Sequence, residues 1–156
     1  MAEIGFYHLT RTTLEQALPR LLGRVLDGGG RAMVLCASAE RIAALDAALW
    51  QCEDPPWLPH GSPLAAGLPG EPSLQPIWLT TADAGPAGAP NGARFLFLVD
   101  GAETARLDAF DRAFDLFDGN DPAALEAARR RWSAAKAAGH GLAYWQQGPR
   151  GWERKQ

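Results

Sequence analysis

Apolar positions along this chain fall into short runs and alternations separated by stripes at helical spacing. The segment Glu3–Leu9, EIGFYHL, is aromatic and mostly apolar and reads as a short strand. Thr12 and Glu15 stand at capping-box spacing. Leu14, Leu18, Leu21, Leu22 and Val25 then recur at helical intervals, which predicts a helix to about Asp27. Pro19 inside it is expected to kink it or delay its regular start, and Gly28, Gly29 and Gly30 end it. Residues 31–37, RAMVLCA, have the length and continuous apolarity of a buried central strand. Ser38 can cap the next helix, in which Ile42, Leu45 and Leu49 form a core stripe ending near Trp50.

Residues 51–73 are rich in Pro and Gly and carry little regular pattern. Residues 75–81, QPIWLTT, read as a strand, and 82–92 as a mobile Gly/Pro/Ala loop. Residues 94–100, RFLFLVD, give the strongest strand signal in the chain. Across 104–117, Leu107, Phe110, Phe114 and Phe117 stand at helical spacing and predict a helix with an aromatic core face. Asp121 can cap a further helix with Pro122 at its first position, and Gly139 is placed to stop it. Residues 141–147, GLAYWQQ, read as a last strand, and 148–156 as a fraying tail. Strands alternating with helices mark the α/β class with a parallel sheet and covering helices. The expectation is one domain, 1–147, with a terminal tail, 148–156, and no internal repeat.

Composition narrows the function. A chain of 156 residues with 47% hydrophobic content is long enough to bury a real core. The net charge of −3 argues against a general nucleic-acid binder, although Arg129, Arg130, Arg131 and Lys136 cluster locally. Two cysteines, Cys36 and Cys52, do not make a disulfide framework. The chain shows no signal segment and no apolar run near the roughly 20 residues of a membrane span, so a cytoplasmic protein is expected. The glycines at 28–30 follow a helix and precede a strand, the reverse of what a phosphate loop needs. Neither His8, His60 and His140 nor the cysteines have metal-ligand spacing. Cys36 reads as an inert small hydrophobe. Asp100, ending the best strand, stands where α/β enzymes often hold a functional group, but without a partner it reads as a turn residue before Gly101. No catalytic residue, metal or cofactor is expected.

Two surfaces suit a partner. At 100° per residue Leu125, Arg129, Trp132, Ser133 and Lys136 share one arc of the helix after Asp121, which combines cations with a flat aromatic. Such a face fits an acidic peptide with a free carboxylate. Trp132 packed inward beneath a solvated basic face is the alternative, open at this point. Trp50, Trp57, Leu58 and Pro59 could form a second, apolar patch, since exposed Trp and Arg dominate protein–protein hot spots.

Several stretches, in this order, resemble the DNA polymerase III chi subunit family. They are FYHL at 6–9, LDAALW at 45–50, WLPHG at 57–61, QPIWLT at 75–80, DLFDG at 115–119 and ARRRWSAAKAAGHGLAYWQQ at 128–147. The resemblance implies a single three-layer α/β/α domain with a mainly parallel, Rossmann-like sheet and no nucleotide site. It implies a non-catalytic replisome adaptor associated with the clamp loader. Its partners would be the acidic tail of single-stranded-DNA-binding protein, which ends in Pro-Phe, and a psi subunit or equivalent. DNA would be reached only through the replisome, and no membrane is involved. Carried over residue by residue, Arg129 would meet the peptide's terminal carboxylate and Trp132 would pack on its Phe. Ser133, Lys136 and Tyr144 would complete that site, and Trp50, Trp57 and Leu58 would face psi. Leu125 and Ser133 stand where some members have lysines, and Arg130 or Arg131 is expected to compensate. The other function classes carried are a direct single-stranded nucleic-acid-binding module stacking bases on Trp132 and Tyr144, and a nucleotide-binding α/β enzyme.

Overall fold

The elements run β1 (Glu3–Leu9), α1 (Leu14–Asp27), β2 (Ala32–Leu35), α2 (Ala39–Gln51), β3 (Ile77–Thr80), β4 (Phe95–Val99), β5 (Arg112–Asp118), α3 (Pro122–Ala137), β6 (Gly141–Gly148) and β7 (Gly151–Arg154), with 3-10 turns at Pro72–Leu74 and Leu107–Ala109. The structure is a computed structural model that describes residues 2–53, 56, 58–63 and 71–156. The strands build one seven-stranded sheet of order β3-β2-β4-β5-β1-β6-β7. Every pairing is parallel except the last, β6 with β7.

Connection direction decides where the helices go. The β1–α1–β2 and β2–α2–β3 crossovers travel one way across the sheet, and β5–α3–β6 travels the other way past β1. Right-handed crossovers running in opposite directions place their helices on opposite faces. Strand alternation follows suit. Tyr7, Val34, Phe97, Phe114 and Leu116 join Leu18, Leu22, Ile42 and Leu45 of α1 and α2 in one core. Phe6, Met33, Leu96, Leu98 and Phe117 join Ala128 of α3 in the other. The strand order is not one of the two common doubly wound orders, in which the first strand lies beside the second. Here β4 and β5 separate them.

Several local expectations change. The N-cap of α1 is Thr13, not Thr12, and its N–H donates to Gln16 Oε1 at 3.0 Å. The Thr12 hydroxyl instead accepts from Gln147 Nε2 at 2.6 Å, a contact only the fold supplies. Helix α1 starts at Leu14 and continues through a buried Pro19, so its start is not delayed. It ends on Gly29 at φ 80°, where the Gly29 and Gly30 N–H groups close back on Leu26 and Val25.

The helix expected over 104–117 is absent. Its place is taken by a 3-10 turn and then β5. A helix would gather Phe110, Phe114 and Phe117 on one stripe, whereas β5 sends Phe114 to one core and Phe117 to the other. The slot between β4 and β1 pairs β5 on both edges, which the sequence spacing could not weigh. The 148–156 segment does not fray either. It turns at Gly151, φ 115°, and returns as β7. Trp152 packs edge-on against Tyr7 with ring centroids 5.0 Å apart. The 82–92 loop is tied at its base, because buried Asn91 donates to the Ala32 and Gln75 carbonyls, both at 3.0 Å.

One ion pair locks α3 onto the sheet. Arg131 forks onto Asp115 of β5 at 2.7 and 2.9 Å, with 13% and 4% of the two side chains exposed. Burial pushes the Asp115 carboxyl above its ordinary range, and the guanidinium opposes that shift. Arg131→Ala should therefore destabilise the fold by roughly 3–5 kcal/mol by leaving a buried carboxylate alone. Calorimetry should register this as a Tm loss on the order of 10 °C. Cys36 is buried, and its thiol is pushed up to about 12, first by burial and then by Asp100. Cys52 is half-exposed. A native thiol titration at pH 8 should count one fast cysteine, with the second appearing only in denaturant.

Candidate partner-binding site

Helix α3 sets the site. The Asp121 side chain accepts from the Ala123 N–H at 3.0 Å, and Pro122 occupies the first turn. The helix closes at Gly139, φ 85°, with the His140 N–H donating to Ala135. Its rotation is fixed by Ala128, Arg131 and Trp132 facing the sheet. At 100° per residue this turns Arg129 and Ser133 toward the β6 side.

There a cleft of about 350 Å³ opens. Arg129, Trp132 and Ser133 line it from α3, Tyr144 and Gln146 from β6, and Lys155 and Gln156 from the chain after β7. Four of the five residues expected for the peptide site thus meet in one cleft. Lys136 is exposed one turn farther along α3 and is not among the lining residues. Leu125, on the same arc, packs against the core.

Trp132 does two things at once. Its inner edge rests on Phe6 at 5.3 Å, so it is part of the core, and it also forms the floor of the cleft. Tyr144 stands edge-on to it at 5.8 Å. The Tyr144 hydroxyl lies 2.7 Å from His8 Nδ1. Burial pushes the Tyr144 phenol up, with Arg129 pulling it partly back, so the ring is neutral and able to hydrogen-bond at pH 7. His8 reaches this position because residue 119 is glycine. A Cβ there would fall 1.8 Å from the His8 ring and 2.8 Å from the Leu9 carbonyl.

Gln146, Lys155 and Gln156 were not expected at the site. A signal was present, since GPRG at 148–151 is a turn sequence between two Trp-bearing segments. Neither Arg130 nor Arg131, expected to compensate for the missing lysines, is among the residues lining the cleft. Arg131 is committed to Asp115, and Arg130 forms an exposed pair with Glu126 at 3.4 Å.

Two described residues of the second expected surface, Trp50 and Leu58, differ in exposure. Trp50 is 60% exposed and packs on His60 with centroids 4.6 Å apart. Leu58 is 3% exposed and belongs to the core, so it offers no surface to a partner. Trp57 lies outside the described residues. Trp50 lies on α2, toward the β3 edge, and the cleft lies at the β6–β7 edge on the other face.

A larger cleft, about 680 Å³, lies at the carboxyl ends of β1, β4 and β5, where open α/β sheets commonly bind ligands. Its polar groups answer one another. The N–H groups of Thr10, Arg11 and Thr12 all donate to Gln147 Oε1, at 3.0, 2.9 and 3.1 Å. Arg41 spans Glu15 and Asp100, which sits at φ 55° before Gly101. Asp100 is thus a turn residue that also holds a partner. Among the described residues no group of three or more His, Cys, Asp or Glu could hold a metal, and no helix is long and apolar enough to cross a membrane.

The fold and site define an α/β domain with an open cleft, aromatic at its floor and cationic at its walls. The family model described as DNA polymerase III chi subunit, HolC, matches residues 1–143, and the chain belongs to that family. Membership makes it an accessory subunit of DNA polymerase III, a replication protein. Comparison with curated proteins gives no match.

Gly119→Ala should displace His8 and strain the Leu9 strand end, lowering stability by about 1–3 kcal/mol. Thermal melts would show this as a Tm decrease of roughly 2–4 °C per kcal/mol.

Proposed function

We propose that this chain is a non-catalytic adaptor of the polymerase III clamp-loader complex in the cytoplasm, and that its α3 cleft takes the acidic C-terminal tail of single-stranded-DNA-binding protein. The observation that carries this is the meeting of Arg129, Trp132, Ser133 and Tyr144 in one cleft. A peptide ending in Phe can lay its ring on Trp132 and Tyr144 and pair its carboxylate with Arg129, a charge-assisted contact. Lys136, one turn beyond, adds long-range attraction to the acidic residues upstream. We read the layering of α1 and α2 on one face and α3 on the other as a three-layer α/β/α sandwich. The N–H groups of residues 10–12 after β1 already donate to Gln147, which supports a role other than phosphate binding by that loop.

A second reading concerns the opposite edge. Exposed Trp50 supports docking of a psi subunit or equivalent there. Direct stacking of single-stranded nucleic acid on Trp132 and Tyr144 is disfavoured by the net charge of −3.

Titration of a fluorescent peptide carrying the binding protein's tail should give saturable anisotropy with micromolar Kd, about −8 kcal/mol. The same peptide without its last Phe should not bind. Arg129→Glu should weaken binding by roughly 30-fold or more while leaving the melting curve unchanged, since Arg129 is exposed. Wild-type affinity in that variant would remove the α3 cleft from consideration.

A further inference from the structure

We propose that Lys155 is the second cation of the peptide cleft, and that Glu153 holds it there until the carboxylate of an acidic peptide displaces it. The inference rests on the tail-binding reading of the cleft and extends it beyond residues 1–143, the span shared with the family. On α3 the cleft has one fixed charge at its lining, Arg129. Leu125 and Ser133 are uncharged, and Arg131 is held inside by Asp115. A strongly acidic ligand therefore meets a single guanidinium from the helix side.

The β6–β7 hairpin supplies the other wall. Pairing continues past Arg154, because the Lys155 N–H donates to the Tyr144 carbonyl at 2.7 Å and the Tyr144 N–H donates to the Gln156 carbonyl at 3.1 Å. Alternation then places Glu153 and Lys155 on the face of Tyr144 and Gln146. The opposite face carries Trp145 and Trp152, both packed against Tyr7 and the α1-side core. The two tryptophans root the hairpin, so the lysine stands over the cleft on a fixed strand and not on a loose end. Its ammonium meets Glu153 Oε2 at 3.2 Å, with 48% and 49% of the two side chains exposed. An ion pair this exposed is weak, and a peptide carboxylate can exchange with Glu153 without leaving a buried charge behind. Glu153 is thus an internal competitor, and Lys155 the residue it keeps in position.

The test is anisotropy with the fluorescent tail peptide on the full chain, at low and high salt. Lys155→Ala should weaken binding about 3- to 10-fold at low salt, with the difference shrinking at high salt as screening grows. Lys155→Arg should restore wild-type affinity, and Glu153→Gln should tighten binding about 2- to 3-fold. Melting curves of all three should overlay wild type, since the side chains are half exposed. If wild type binds and Lys155→Ala binds equally, the role of Lys155 is wrong and the cleft assignment stands. A loss in Lys155→Ala that Lys155→Arg does not recover, or that ignores salt, also overturns it, because the hairpin and not the charge would be responsible. If wild type itself does not bind the peptide, the tail-binding reading falls and takes this inference with it.

Discussion

The buried pair of Arg131 and Asp115 governs what this molecule presents to its surroundings. A carboxylate placed on the middle of a parallel sheet must find a cation, since a lone buried charge is prohibitively costly. Arg131 answers from α3 through a two-pronged contact that tolerates little rotation of the helix. Fixing the helix about its axis fixes everything else on it. Ala128 and the inner edge of Trp132 face the core, and Arg129 and Ser133 face the groove beside β6. The cluster of three arginines is therefore not one basic patch. One is structural, one belongs to an exposed i,i+4 pair with Glu126, and one reaches the cleft.

Sheet edges explain the placement of the cleft. On the α3 side a single helix and several loop segments cover the sheet, and the β6–β7 hairpin extends past that helix. The step between the helix and the hairpin is the groove. Tyr144 stands at its base, held by His8 from β1 and flanked by Trp132. The same hairpin reaches the other side of the molecule through Gln147, whose side chain gathers three N–H groups at the start of α1. A cradle of converging N–H groups beyond the first strand is where many α/β folds take a phosphate. Here a side chain of the same chain accepts from those N–H groups, so the strand that lines the α3 cleft also occupies the donors after β1.

Much was legible in the sequence where local chemistry and tertiary demand agree. β1, α1, α2 and α3 lie where periodicity put them, and Ser38 and Asp121 cap α2 and α3 as expected. The helix-face argument brought Arg129, Trp132 and Ser133 together, and Tyr144 entered through the family resemblance. The failures have a common cause. The 104–117 segment satisfies a helical spacing and a strand alternation at once, and only pairing with β4 and β1 chooses between them. Residues 148–156 carry few apolar positions and look unable to order themselves. They order because Trp152 finds Tyr7, 145 positions away in the chain. Leu58 looked like part of a surface patch, and the core took it.

The sequence by itself determined the α/β class, most elements and a helix face that combines cations with a flat aromatic. These are short-range properties, set by side-chain periodicity, capping and the chemistry of single residues. Only the tertiary structure decided which cations are free. Whether an arginine reaches solvent or a buried aspartate depends on which strand lies beneath it. That in turn depends on the strand order, which places β5 under Arg131 and returns Lys155 to Tyr144 across a hairpin. The Arg131–Asp115 contact cannot be read along the chain, because it joins α3 to a strand whose place is set only when β5 pairs with β4 and β1.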